Sequence, residues 1–316
     1  MSHTWIGLLV GARESSGALV DHSGTVLARI SVPAATGPEE ALDGLQAMVR
    51  RLSSKAAKSG SDVGAVGVGF PGVVDPQDGD VHATRNALRA WIGVDPAARL
   101  RERVGLPVSV RNDVACVLLG ELVAGAVRGE RNVLVAYSST GVGGAILLDG
   151  RLVVGRHGLA GHLGHVPVPG AQGLPCTCGG TGHVDSVASA AAMTRLYAER
   201  RALAPGDVPY LLAVSQARLS GDDVARQTLE QGGTALGAAL GGASNLLEPE
   251  VLLLAGEAMA DPIYRAALER EVADQLVAGG AAPDIRLAEL AGDAQLIGAA
   301  MGARAFADAD YSVAGL

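Results

Sequence analysis

His165, Cys176, Cys178 and His183 place four soft metal ligands within nineteen residues of one glycine-rich stretch, GHLGHVPVPGAQGLPCTCGGTGHVD at 161–185. Zinc is held tetrahedrally by thiolate sulfur and imidazole nitrogen, and four protein ligands close its shell, which makes such a site structural. The Cys-x-Cys pair with Gly179, Gly180 and Gly182 supplies a backbone loose enough to wrap an ion. Two of only three cysteines fall here, bracketed by histidines. The spacing therefore predicts a structural zinc site in preference to two free thiols in a loop.

Two further places have the residue types for chemistry. Asn112-Asp113 stands where a strand ends and a helix begins. A carboxylate on such a rigid element can take a proton from a nearby hydroxyl, although the same pair also suits a helix N-cap. In the turn Ser139-Thr140-Gly141-Val142-Gly143-Gly144, glycines can let backbone N–H groups approach phosphate oxygens. A tight hairpin would use the same residues.

The elements that must position these groups follow from pattern. Trp5–Val10, Gly17–Asp21 and Thr25–Val32 read as a meander turned at Asp21-His22-Ser23-Gly24. Pro38-Glu39-Glu40 opens a helix, with Leu42, Leu45, Val49 and Leu52 at helical spacing. Buried strands are expected at Ala65–Phe70 and Pro107–Arg111, then a helix over Val114–Val127. A second strand cluster runs from Asn132 to Val154, with Asp149-Gly150 as a hairpin turn. Helices over Asp222–Leu247 and Asp293–Phe306 enclose a short strand at Val251–Leu254. One meander–helix–strand–helix plan thus occurs twice, before and after about residue 130.

Composition bounds the function classes. With 316 residues there is room for two lobes, and 48% hydrophobic against 18% charged content is ordinary for a soluble globular protein. A net charge of −8 argues against a nucleic-acid surface. Arg50, Arg51, Lys55 and Lys58 read as the solvated face of a helix. MSHTWIGLLVGA has neither a basic n-region nor a membrane-length apolar run, and an odd cysteine count fits a reducing compartment. A cytoplasmic protein is expected, with no nucleic-acid or membrane partner.

Taken in order, VGVGFPGVVDPQDGDV, RNALRAW, VRNDVACVLLGE, SSTGVGGAILLDGRLVVG, GLAGHLGHVPV, CTCGGTGHVD and NLLEPEVLLLAGE resemble the ROK family of repressors, open reading frames and kinases, nearly end to end. The resemblance implies an α/β, two-lobed, actin-like and ribonuclease-H-like (hexokinase-type) fold with a central cleft. It implies a small lobe of residues 1–115, completed by a C-terminal helix at about 293–316, and a large lobe of 116–292 carrying the metal loop. It further implies an ATP- and magnesium-dependent sugar kinase, acting on a hexose or amino sugar, that forms a homodimer or larger assembly. Asp113 matches the catalytic aspartate. Asn112, Asn86 and Gly72 match sugar contacts, and His165 matches a residue that is both zinc ligand and sugar contact. Thr140 and Gly141 match the second phosphate loop, and Gly256 matches part of a glycine pair beside adenosine. Asn86 reads equally as a loop residue satisfied by its own backbone.

Four features depart from the family pattern. In place of Asp-x-Gly-Gly-Thr-Lys, the first hairpin carries Leu9-Val10-Gly11-Ala12-Arg13-Glu14. Leucine cannot hold magnesium, Arg13 can pair with phosphate, and Glu14 opposes it. His162 stands where the family has a sugar-binding glutamate, Asp185 shortens a second one, and His183 replaces a zinc cysteine. A sugar kinase with a divergent site is the first expectation. A non-catalytic sugar sensor, akin to the repressors' effector domain but without their DNA-binding segment, is the second. An enzyme of altered chemistry using Asp113 and His162 is the third.

Overall fold

The apolar residues of the first meander run nearly unbroken through its first two strands, so successive side chains serve a core on each face of the sheet. The computed structural model describes residues 2–75, 79–84, 86–204 and 206–307. Its strands and helices open with β1 (Ser2–Leu9), β2 (Glu14–Val20), β3 (Val26–Pro33), α1 (Pro38–Lys58) and β4 (Ser61–Phe70). A small hairpin, β5 (Gly72–Val74) and β6 (Val81–Thr84), precedes α2 (Pro96–Val104), β7 (Val108–Asn112) and α3 (Asp113–Ala124). Then come β8 (Val133–Ser138), β9 (Val142–Leu148) and β10 (Arg151–Val153). Helices follow: α4 (Asp185–Ala188), α5 (Ala190–Arg200), α6 (Leu211–Leu219) and α7 (Asp223–Leu247). The chain ends with β11 (Val251–Ala255), α8 (Pro262–Gln275), β12 (Asp284–Leu287) and α9 (Asp293–Ala307). The rest of the expected C-terminal helix, 308–316, lies outside the described residues.

The segments group into two compact units. Met1–Arg131, Ile146–Ala160 and Ala288–Leu316 form the first, and Asn132–Ala145 with Gly161–Leu287 form the second. One sheet runs in the order β3-β2-β1-β4-β7 and the other β10-β9-β8-β11-β12. Both follow one plan: a three-strand antiparallel meander whose first strand is extended by two parallel strands. The duplication legible in the sequence is this shared order. Asp149 and Gly150 have φ of 51° and 72°, as the two-residue turn between β9 and β10 requires.

In the first unit, Leu42, Leu45, Met48 and Leu52 of α1 pack on Ile6, Leu8, Val68 and Phe70. The other sheet face receives Leu296, Ile297, Ala300 and Met301 of α9. That helix lies so close that a Cβ on Gly67 would stand 1.8 Å from the Ala299 carbonyl oxygen. In the second unit, α7 packs along α8. Asp222 caps α7 and Asp261 caps α8 by accepting hydrogen bonds from the first-turn N–H groups. No helix among the described residues is long and apolar enough to cross a membrane.

Candidate functional site

The first unit carries Asp113. Phe70 of β4 pairs with Asn112 of β7, so the Asn112-Asp113 step falls at the carboxyl end of two parallel strands, where open α/β sheets place their ligands. Asn112 is the N-cap of α3. Its side-chain oxygen accepts from the N–H groups of Val114 and Ala115 at 2.9 and 3.2 Å, while its amide donates to the Gly72 carbonyl at 2.9 Å. Asp113 is half-buried and opens the helix, where the dipole favours a negative charge. Gly72 has no room for a side chain, since a Cβ would stand 2.4 Å from the Ala83 carbonyl oxygen. One turn into α3, burial pushes the Cys116 thiol up to about 12; Arg111 counters this and Asp113 adds to it. Asn86 opens a 3-10 turn, Asn86–Trp91, and its side chain lies outside the described residues.

The first hairpin has a different character. Leu9 packs against the cluster formed by Ala18, Val20 and α9. Ala12, Arg13 and Glu14 are exposed, and the Arg13 carbonyl accepts from Ala34 N–H at 2.9 Å. β1 offers no carboxylate where Leu9 stands, and Glu14, the carboxylate of this turn, is exposed, so the hairpin lacks the aspartate that the family resemblance assigns to orienting magnesium.

The second unit brings the four sulfur and nitrogen ligands together. One donor atom from each of His165, Cys176, Cys178 and His183 lies within 4.8 Å of all the others. Nδ1 of His165 is 3.5 Å from Cys176 Sγ, and Nδ1 of His183 is 3.3 Å from Cys178 Sγ. Zinc bound to sulfur at about 2.3 Å and to nitrogen at about 2.0–2.1 Å has tetrahedral edges near ~3.6 Å. The donor set and spacing fit zinc. Cys176 is buried and Cys178 exposed. Burial foremost, together with Cys178 and Asp185 beside it, pushes the Cys176 thiol up, so a cation is what would hold it as thiolate. Gly180 makes room for the His183 ring, which a Cβ there would approach to 2.7 Å.

Around this cluster, His162 stacks on His165 with ring centres 6.2 Å apart and planes 20° from parallel. Asp185 is buried. It accepts from Val142 N–H at 2.7 Å and from the Thr177 hydroxyl at 3.3 Å, tying the Thr140–Gly141 turn to the Cys-x-Cys loop. Thr140 is exposed and Gly141 buried. Gly256 has φ of 98°, and a Cβ would stand 2.2 Å from the Ser138 carbonyl oxygen, so β11 leaves the sheet in backbone contact with β8.

Three groups had no place in the sequence reading. Glu257 reaches to 3.4 Å of the Ser139 hydroxyl, beside the Thr140 turn; its only signal was its neighbour Gly256. Asp75 is buried, with His157 Nδ1 at 3.0 Å and His82 Nδ1 at 3.8 Å. Glu121 is buried and accepts from the N–H groups of Ala126, Glu289 and Leu290. Contacts this distant in sequence leave no local pattern.

The chain matches the ROK family over residues 5–305 and belongs to it. A glucokinase of Streptomyces coelicolor is 32% identical over 318 residues, spanning 93% of this chain and 96% of that protein. The solved ROK family glucokinase of Streptomyces griseus, in complex with glucose and AMPPNP, is similar with a TM-score of 0.79 at 29% identity. It covers 95% of this chain and 99% of its own. The ROK hexokinase of Thermus thermophilus has a TM-score of 0.84 at 26% identity, over 97% of this chain and 99% of its own. The fold is the actin-like, ribonuclease-H-like fold of the hexokinases.

Proposed function

We propose that the chain is a sugar kinase, transferring the γ-phosphoryl group of ATP to a hydroxyl of a hexose or amino sugar, with a divergent sugar side and an atypical first phosphate hairpin. The observation that carries this reading is the setting of Asp113: a carboxylate on the first turn of α3, fixed by a cap that is itself anchored to Gly72. Catalysis of phosphoryl transfer is mostly positioning plus charge stabilisation, and a base on two rigid elements supplies the first. Asp113 takes the hydroxyl proton, while Gly72, Asn86, Asn112, His162, His165 and Asp185 define the sugar side. Arg13, Thr140, Gly141 and Gly256 define the nucleotide side. Zinc, held by His165, Cys176, Cys178 and His183, would set the loop that carries His165 and Asp185 and take no part in the chemistry. The protein is expected to act as a homodimer in the cytoplasm, the dimer being measurable by light scattering.

A second reading has a specific observation behind it. Leu9 leaves the first hairpin without a carboxylate for magnesium, and Glu257 puts a negative charge beside the Thr140 turn; each would disfavour Mg·ATP, which favours a sugar-binding protein without transfer. Calorimetric titration of Mg·ATP, with and without a panel of hexoses and amino sugars, separates the two. Turnover that Asp113→Asn reduces roughly a hundredfold or more, with sugar affinity retained, supports the kinase. Sugar binding with no response to ATP leaves the sensor standing.

A further inference from the structure

The loop from Val154 to Ala160 in the first unit holds Gly155 and Gly158 at φ of 73° and 75°. Glycine at such positions is free of strain in the folded state and costs much chain entropy to fix. Within the loop, Ala160 N–H donates to the Val154 carbonyl at 3.2 Å. Two adjacent residues dock it on β5. A Cβ on Gly158 would stand 2.1 Å from the Val74 carbonyl oxygen, so the backbones touch. His157 meets Asp75, the next residue, at 3.0 Å. The carboxylate is 3% exposed and the imidazole 50%, so the pair is a buried acceptor met by a donor reaching in from solvent. A buried carboxylate needs such partners. His82, at 3.8 Å from the same oxygen, stands beyond hydrogen-bond reach of it.

The same strand begins at Gly72, whose carbonyl anchors the Asn112 cap in front of Asp113. We propose that His157 is a positioning residue: bonded to Asp75, it latches the 154–160 loop onto β5 and so steadies the Gly72–Asn112 contact that presents Asp113. Its kinetic consequence rests on the kinase reading above, whereas its structural consequence does not.

The test uses His157→Ala and His157→Asn in the full chain. Asparagine can place its side-chain nitrogen where Nδ1 stood but has no counterpart of Nε2. Amide hydrogen exchange in the free protein is the first readout. In His157→Ala, exchange should rise several-fold at Ala160 and at Val114 and Ala115, whose N–H groups bond to Asn112; in His157→Asn it should return toward wild type. Unchanged exchange at Ala160 in the alanine variant would overturn the latch. A rise at Ala160 with none at Val114 or Ala115 would overturn its link to the cap. Kinetics supply the second readout: kcat should fall about tenfold in His157→Ala with KM within about twofold, since misalignment acts on the transition state. An asparagine variant with loop exchange restored but turnover as poor as the alanine variant would mean that Nε2 touches the ligand, against a positioning role. If wild-type protein transfers no phosphate, the kinase reading falls, and the exchange data alone still decide the latch.

Discussion

Glu257 and Leu9 would act on the two proposed phosphate turns by different physics. Glu257 stands beside the Ser139 hydroxyl, so its charge would repel a phosphate approaching the Thr140 turn. Because it is exposed, water and salt screen that repulsion. Glu257→Gln should therefore strengthen ATP binding only about threefold to fivefold at low salt, and the gain should vanish near molar salt. A gain that persists at high salt, read by calorimetry, would mean that Glu257 acts by shape instead. Leu9 is a packing residue as well as a missing carboxylate, because it fills space between β1 and α9 and lies against Gly69. Leu9→Asp should consequently raise Mg·ATP affinity while lowering the melting temperature. An aspartate variant as stable as wild type would mean that the β1 side chain had turned out of the cluster. The sequence showed Leu9 as a loss at the phosphate hairpin; what it gained in the core became visible only with its neighbours.

Helix ends and turns were legible because their signals are local. Pro38 at the start of α1, Asp222 ahead of α7 and Asp149-Gly150 between β9 and β10 each act within a few residues of themselves. Asp261-Pro262 ahead of α8 is a local signal of the same kind that was passed over, whereas β12 offers none. Pairing of β12 to β11 joins residues 251–254 to 284–287, and no feature of either stretch names the other. The glycine seams are of this second kind. Gly298 of α9 crosses α3 so closely that a Cβ would stand 1.8 Å from the Cys116 carbonyl oxygen, and Gly233 and Gly237 of α7 meet the backbone of α8 in the same way. Gly298→Ala must push two helices apart. Overpacking of a well-filled core typically costs about 1–3 kcal/mol, and with backbone as the obstacle the upper end is expected. A melting temperature equal to wild type would show that α3 and α9 slide freely. Glu121 closes the far end of α3 by accepting three backbone N–H groups. Glu121→Ala takes the acceptor from these part-buried donors and leaves a cavity where the buried side chain stood, for a loss of roughly 1–3 kcal/mol in denaturant unfolding.

At the scale of the molecule, the two units repeat one sheet order but differ in what holds their sites. In the first unit the Asp113 site rests on strands, a cap and the glycine contacts of α3 and α9. In the second, the loop from 161 to 185 has short bridges, Pro167 to His183 and Pro175 to Thr181, and four side chains placed to hold the proposed zinc. Local stability follows buried contacts and fixed hydrogen bonds, so removing the metal should loosen this loop and leave the first unit intact. Protein purified without added metal should carry about one zinc per chain. With zinc in place, Cys176 and Cys178 should be slow toward thiol reagents; after chelation both should react. Cys116 should stay silent until the chain unfolds, because burial pushes its thiol up to about 12, which keeps it protonated across the neutral range. Hydrogen exchange after chelation should rise across residues 161–187, including the Val142 amide held by Asp185, and stay level along β1, β4 and α9. Zinc below about half an equivalent in normally folded protein would remove the metal from this account. Exchange rising equally in the first unit would show that the metal supports the whole chain and not the one loop that wraps it.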